Sequence, residues 1–344
     1  MASSIHLRRT EENVDDIRAA EQRFGERVGI DGVLAHLNRK AERAPVPGQA
    51  VEWGFRWNDH DGRSKRWWPQ GITTSADASD DEDIGGRRLL MTSWYSKTVD
   101  GENQGSRITI VDVDTLEYRH VLLVVPEQTW RGLRLKPLLV HAGGLVWCGP
   151  YLHVAGTKRG LFTCLVDDII RLEGTDRSFG YRYVLPVRFG YSAEASEGVE
   201  QMRYSFLSLD RSSDPPALVA GEYGRGNETR RLVRYPLDRE TQHLAAHEDG
   251  TSRPVWLDDC GLGHMQGAAT VRDTYYVTAS RGRYRLGKMY VGRPGKFRSL
   301  PRTLPVGPED ITYWPSTDML WSVTEYPGRR FVFAMKRAQF DRDP

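Results

Sequence analysis

Gln70-Gly71-Ile72-Thr73 returns as Gln266-Gly267-Ala268-Ala269-Thr270 and as Glu309-Asp310-Ile311-Thr312, with His141-Ala142-Gly143-Gly144-Leu145 a looser copy. Each copy opens a β-rich run. A second strand follows, ending in a small or acidic residue, and then a loop that carries Arg or Lys. Repeats spaced by tens of residues signal a repeat architecture, and β-rich repeats of this size signal a β-propeller. In such a fold, equivalent positions of every repeat gather around one axis.

Working outward with about four strands per blade, the chain from Val51 parses into a five-bladed propeller, with six blades as the alternative reading. The first blade starts at Gln70 and ends with Tyr118–Val125, its acidic stretch Asp77–Asp83 read as an exposed loop. The second runs from Ala142–Trp147 to Tyr181–Val187. The third starts at Tyr204–Leu209 and ends in a weak strand near Gln242–Ala245. The fourth starts at Gly267–Val271 and the fifth at Asp310–Trp314. The fifth is one strand short, and an unassigned strand, Val51–Trp57, stands ready to pair with it and close the ring, which removes an exposed sheet edge.

Residues 1–48 read differently, as an N-terminal helical arm ahead of a propeller domain spanning 49–344. Thr10 caps a first helix with Glu11 and Glu12 behind it, and Val14, Ile17, Ala20 and Phe24 form an apolar stripe at helical spacing. A second helix is predicted from Asp31 to about Arg43, before Pro45-Val46-Pro47-Gly48 ends the helical section. Such an arm packs on the propeller, closes over it as a lid, or joins two copies as a homodimer.

The composition excludes several classes. With 344 residues the chain is ample for a core, and its formal net charge of +2 gives no global field for nucleic acid. No apolar run approaches the roughly 20 residues of a membrane span, and Met1–Arg9 lacks the apolar core of a signal peptide. The expected location is therefore cytoplasmic. Cys148, Cys164 and Cys260 are too few and odd in number for a disulfide framework and read as buried thiols.

The entries of the innermost strands are Gln70, His141, Tyr204 or Ser205, Gln266, and Glu309 with Asp310. Most can donate, accept or bind a metal, whereas Gly71, Gly143 and Gly267 answer to crowding of backbones near the axis. Asp310 reads as a structural acid holding backbone N–H groups. The ends of the second strands add Lys97, Lys158, Arg159, Arg225, Arg281, Arg283 and Arg329 to the same face, with Trp94, Tyr95, Tyr223 and Tyr326 among them and His264 and Trp67-Trp68 close by. A cationic, aromatic funnel suits a polar or anionic small molecule.

Pro308-Glu309-Asp310-Ile311-Thr312-Tyr313 and the repeated strand entries resemble the small-molecule β-propellers, the group of strictosidine synthase-like, gluconolactonase-like and glutamine cyclotransferase-like proteins. The resemblance is architectural and covers about Val51 to Lys336. It implies a divalent metal such as calcium held by strand-entry carboxylates and amides. Glu309 and Gln70 match by residue type, with His141 as the third metal candidate, although His141 and the Tyr204–Ser205 entry depart from the pattern.

The function expected on these grounds is acid/base chemistry on a small molecule at the central mouth: hydrolysis, elimination (a lyase) or cyclisation. His141, Glu309 and His264 are the catalytic candidates. Gln70, Gln266, Arg225, Arg283, Tyr223 and Trp68 are the substrate-binding candidates. A glycoside hydrolase is one alternative, with Glu309 paired with Glu222 or Glu325. The other is a non-catalytic ligand-binding or protein-interaction propeller, in which exposed Trp67, Trp68, Trp94 or Trp130 marks the docking face.

Overall fold

The structure, a computed structural model, describes residues 4–175 and 178–341. Its strands form five sheets. The innermost strands are Trp67–Thr74, Leu145–Cys148, Phe206–Asp210, Met265–Val271 and Pro308–Trp314, heading sheets I to V respectively. Each of these strands touches the next, and the last returns to the first, so the sheets circle one axis as a β-propeller.

Sheets III and IV have the simple four-stranded form. The other sheets are wider: the N-terminal segment threads into each of them, and sheet I also takes in Gly132–Pro137, Ile170–Leu172 and Tyr183–Pro186. Ile5–Arg9 pairs with Phe189–Ala195 in sheet II. Gly25–Arg27 pairs with Ile170–Leu172 and Arg39–Lys40 with Glu117–Tyr118 in sheet I. Glu42–Arg43 pairs with Phe55–Arg56 in sheet V. Trp53–Arg56 in turn pairs antiparallel with Phe331–Ala334.

This threading changes the reading of residues 1–48. The first helix spans Val14–Phe24, with Ile17 and Ala20 buried, and starts at Asn13 rather than Thr10. Thr10 instead continues its strand, exchanging hydrogen bonds with Gly190 at 2.9 Å. The second helix is short, Gly29–Leu34. The backbone after it is drawn into sheet I, where Asn38 N–H donates to Tyr118 O and Ala41 N–H to Leu116 O. No helix among the described residues is long and apolar enough to cross a membrane.

Three further expectations are corrected. The fourth strand of sheet II is Phe189–Ala195, because Tyr183–Pro186 runs parallel to Leu122–Val124 in sheet I. The outer strand of sheet III is Trp256–Asp259, with the Gln242–Ala245 region reduced to a single Leu237–Leu244 bridge. The acidic stretch is only partly exposed: Ser75–Ala78 is a helical turn, and Asp77 is buried. Its Oδ2 accepts from Thr73 Oγ1 at 2.7 Å and Thr312 Oγ1 at 2.8 Å, joining sheets I and V. All three cysteines are free, Cys148 and Cys164 buried and Cys260 half-buried.

Crowding at the axis explains the strand-entry glycines. A Cβ on Gly143 would lie 2.1 Å from Ser205 O, and one on Gly267 would lie 2.7 Å from Asp310 Cα. Both obstacles are backbone and cannot swing away. Gly143→Ala is therefore expected to cost about 3 kcal/mol, read as a lower midpoint in urea. Gly174→Ala, with nothing within 4 Å of its Cβ, is expected to leave the midpoint in place.

Candidate functional site

The strand-entry residues do meet. Gln70, His141, Ser205, Gln266 and Glu309 line one cavity of about 530 Å³ at the mouth of the ring, together with Tyr95, Tyr223, Arg225, Glu325 and Tyr326. Backbone irregularity helps to place them. The ladder between the two innermost strands slips between Pro69 and Ile72, between Met265 and Gly267, and between Pro308 and Ile311. Each slip falls at Gln70, Gln266 or Glu309, and such bulges re-aim side chains next to binding sites.

Glu309 is only 3 % exposed, and its Oε1 accepts from Gln266 Nε2 at 3.0 Å. Burial, followed by repulsion from Glu325 and Asp310, pushes its carboxyl well above the usual range. Glu325 is half-buried and is also raised, mainly by burial, with Tyr326, Lys97 and Gln70 opposing the shift. Gln70 Nε2 stands 3.4 Å from Glu325 Oε2. Glu309 and Glu325 thus share one cavity, each engaged by an amide N–H and neither ion-paired among the described residues, while exposed Glu228, also on the lining, accepts from Arg225 N–H at 2.7 Å.

His141 stacks on Tyr95, ring centroids 4.3 Å apart and 22° from parallel. It is open to solvent at the concave mouth, but the protein crowding round it, and then Lys97, lower its pKa to about 4. The imidazole is therefore neutral at pH 7 and serves as acceptor or base rather than as a cation. Arg225 lies 5.1 Å over the Tyr223 ring and donates to its hydroxyl at 3.4 Å. Ser205 Oγ accepts from Tyr223 N–H at 3.2 Å, fixing the start of that loop.

Other predicted residues stand outside the cavity wall. Exposed His264 leans on the Tyr223 ring at 5.3 Å. Arg283 lies 5.6 Å over the Tyr326 ring. Trp68 is buried, meets Tyr326 edge-on at 6.0 Å and carries Lys97 Nζ 3.3 Å above its ring. Tyr204 is a core residue whose hydroxyl bonds that of Tyr235 at 2.7 Å. Glu222 is fully buried and held by Arg231 through Nε at 3.0 Å and Nη2 at 2.8 Å, with the backbone N–H groups of Arg203 and Arg231 also donating to it. Burial raises its pKa, but these partners outweigh it and leave the carboxyl low. That removes Glu222 as a partner for Glu309 and leaves Glu325. Trp67, Trp68 and Trp94 are buried, while Trp130 is 87 % exposed.

Arg203 also lines the cavity and was not singled out in the sequence. It comes one residue before the Tyr204–Ser205 entry, in a region where no repeat phrase marks the register.

The fit to a metal is poor. Calcium takes six to eight oxygens, yet here amide nitrogens, at Gln266 and Gln70, face the carboxyls. Among the described residues, no three His, Cys, Asp or Glu side chains stand together as a metal-holding group.

No family model matches the chain, and no curated protein matches it. Solved structures that it resembles include a gluconolactonase from Xanthomonas campestris, at 10 % identity and TM-score 0.40, covering 87 % of this chain and 97 % of that one. A GH43 β-xylosidase/α-arabinofuranosidase from a compost microbial metagenome aligns at 11 % identity and TM-score 0.40, covering 85 % and 95 %. The Cps50 (Swd1) β-propeller domain of Myceliophteria thermophila aligns at 12 % identity and TM-score 0.36, covering 71 % and 93 %. These values add nothing to the architecture already described.

The two buried glutamates make opposite predictions. Glu222→Ala strands Arg231 and is expected to cost about 3–5 kcal/mol. Glu309 binds its proton more tightly folded than unfolded. The folded state therefore holds the extra proton above the ordinary value of 4.5, and stability falls as pH rises from there toward the raised pKa. Glu309→Gln removes this loss, so its melting temperature is expected to gain on the parent's as pH is raised from acid to neutral. A constant gap across that range would refute the raised pKa.

Proposed function

We propose that the protein is a hydrolase acting on a polar small molecule at the central mouth, with Glu309 as proton donor and Glu325 as its partner carboxyl. The observation that carries this reading is the pair of raised carboxyls in one cavity, the deeper of them with no ion-pair partner among the described residues. A carboxyl whose pKa is raised by burial keeps its proton to higher pH and can give it to a leaving oxygen, and a second one nearby can take a proton from water. A propeller axis suits the task because residues from separate sheets converge without any loop having to fold over them.

The remaining groups have simple roles in this scheme. Neutral His141 on the Tyr95 face accepts a substrate hydroxyl or assists the water. Gln70 and Gln266 orient the two carboxyls. Arg225 and Arg203 receive an anionic group at the rim, and Tyr223 and Tyr326 provide flat walls. The scheme fits cleavage of a lactone or a glycoside equally well, and in both the bond broken is a carbon–oxygen bond whose leaving oxygen takes the proton.

The test is a panel of sugar lactones and aryl glycosides assayed across pH. For any compound turned over, Glu309→Gln is expected to lower kcat by about 10²–10⁴ with KM little changed. The parent's kcat/KM is expected to fall on the alkaline side as Glu309 loses its proton. Arg225→Ala is expected to raise KM chiefly for anionic substrates. Full activity in Glu309→Gln would sink the assignment. Binding without turnover across the panel would favour the ligand-binding reading instead.

A further inference from the structure

A second cavity, of about 390 Å³, lies against sheet I and shares no residue with the central mouth. Arg39, Arg66, Arg107, Arg119 and Arg182 line it, and among the described residues none of the lining side chains is a carboxylate. Asp61, fully buried, answers two of these guanidiniums, with Oδ1 3.1 Å from Arg107 and Oδ2 3.2 Å from Arg39. The same carboxylate also accepts from the Tyr118 hydroxyl at 2.8 Å and lies 3.0 Å from His120 Nε2.

Asp61, with half-exposed Glu102 at the edge, set against five arginines leaves a surplus of positive charge among the described residues. Arg119 and Arg182 donate to backbone carbonyls, those of His36 at 2.7 Å and Glu173 at 3.1 Å. Arg66 donates to the carbonyls of Glu102 and Val99 and stands 3.8 Å from the half-exposed Glu102 carboxylate. Carbonyls satisfy the N–H groups without cancelling charge. The cations accordingly press on one another. Arg119 is lowered first by burial and then by Arg39 and Arg182, with Tyr183 opposing. His120 is lowered to about 3, first by burial and then by Arg107 and Arg39, against the pull of Asp61.

The walls are aromatic as well as basic. Arg107 lies between Trp67 at 4.5 Å and Trp94 at 4.7 Å, and donates to the Tyr181 hydroxyl at 2.9 Å. Tyr181 meets Trp67 edge-on at 6.0 Å. At the rim Phe179 is 39 % exposed and has a φ of 51°, a region that a bulky side chain rarely occupies and that recurs in ligand clamps. Planar guanidinium forks match phosphate in two-point fashion, and a cavity of this volume is of the size that encloses a small molecule.

We propose that this groove is a binding site for a small phosphorylated molecule that carries a flat ring, of the nucleoside diphosphate kind, with Arg119 and Arg182 on the phosphates and Phe179 against the ring. The proposal stands whether or not the central mouth is catalytic.

Calorimetric titration of the whole protein with ADP, inorganic pyrophosphate and adenosine tests it. ADP is expected to bind more tightly than pyrophosphate, and adenosine least tightly. Arg119→Ala and Arg182→Ala are each expected to weaken ADP by about tenfold while their melting temperatures without ligand stay near the parent's. Phe179→Ala is expected to erase the advantage of ADP over pyrophosphate, and Arg225→Ala, at the central mouth, is expected to leave ADP binding intact. No heat with ADP or pyrophosphate at millimolar concentration would overturn the proposal. So would binding that survives both arginine variants, or that is lost in Arg225→Ala.

Discussion

The innermost strands approach one another so closely that backbone meets backbone, and the rest of the molecule is arranged round that constraint. Asp310 makes the closeness tolerable. Its Oδ2 accepts from the N–H of Ile72 at 3.4 Å and of Leu145 at 3.3 Å, so one side chain of sheet V serves sheets I and II. Hydroxyls do the same elsewhere. Ser93 Oγ donates to Ala142 O at 2.7 Å and Thr278 Oγ1 to Glu309 O at 2.7 Å. Unpaired backbone groups buried at the axis would each cost about 1–3 kcal/mol, and these short side chains satisfy them without needing room.

The same constraint creates the cavity. Near the axis the crowded strands fill the ring, and the polar residues at their entries are left facing each other across the mouth. Glu309 precedes Asp310, so one turns to the cavity while the other turns to the neighbouring backbones. The two acids differ in work although both are buried. Asp310 is pushed well above its ordinary pKa by burial but has backbone N–H groups that pull it down, whereas Glu309 has Glu325 and Asp310 pushing the same way as its burial.

Much of this was legible in the residues, and for a physical reason. The repeat phrase marks three strand entries because crowding at the axis favours a small residue after Gln70, His141 and Gln266, and these line one cavity with Ser205 and Glu309. Sheet IV, built from four consecutive strands, was readable from the alternation of strand and turn, as were the first three strands of sheet III. What was not legible depends on partners distant in sequence. Arg39 and Glu42 look helical until the backbone of Tyr118 and of Arg56 offers them a ladder. Glu222 reads as a catalytic acid until Arg231 is seen beside it. Asp61 sits in a short helix capped by Asn58, and nothing local announces that Arg107, Arg39 and His120 converge on it.

The strands contributed by the N-terminal segment bear on how the ring is assembled. Ile5–Arg9 is made early, yet its neighbours are Phe189–Ala195 and Thr251–Ser252. Trp53–Arg56 must wait for Phe331–Ala334. Pairings so far apart in sequence are slow, because loop closure has to be completed before the contacts are gained. During synthesis these edges stay open until the partner strands have left the ribosome, and an open edge invites pairing with another chain. Sheets III and IV take no strand from the N-terminal segment and can form locally. Assembly would then run from the later sheets inward, with the first-made strands docking last and locking the ring.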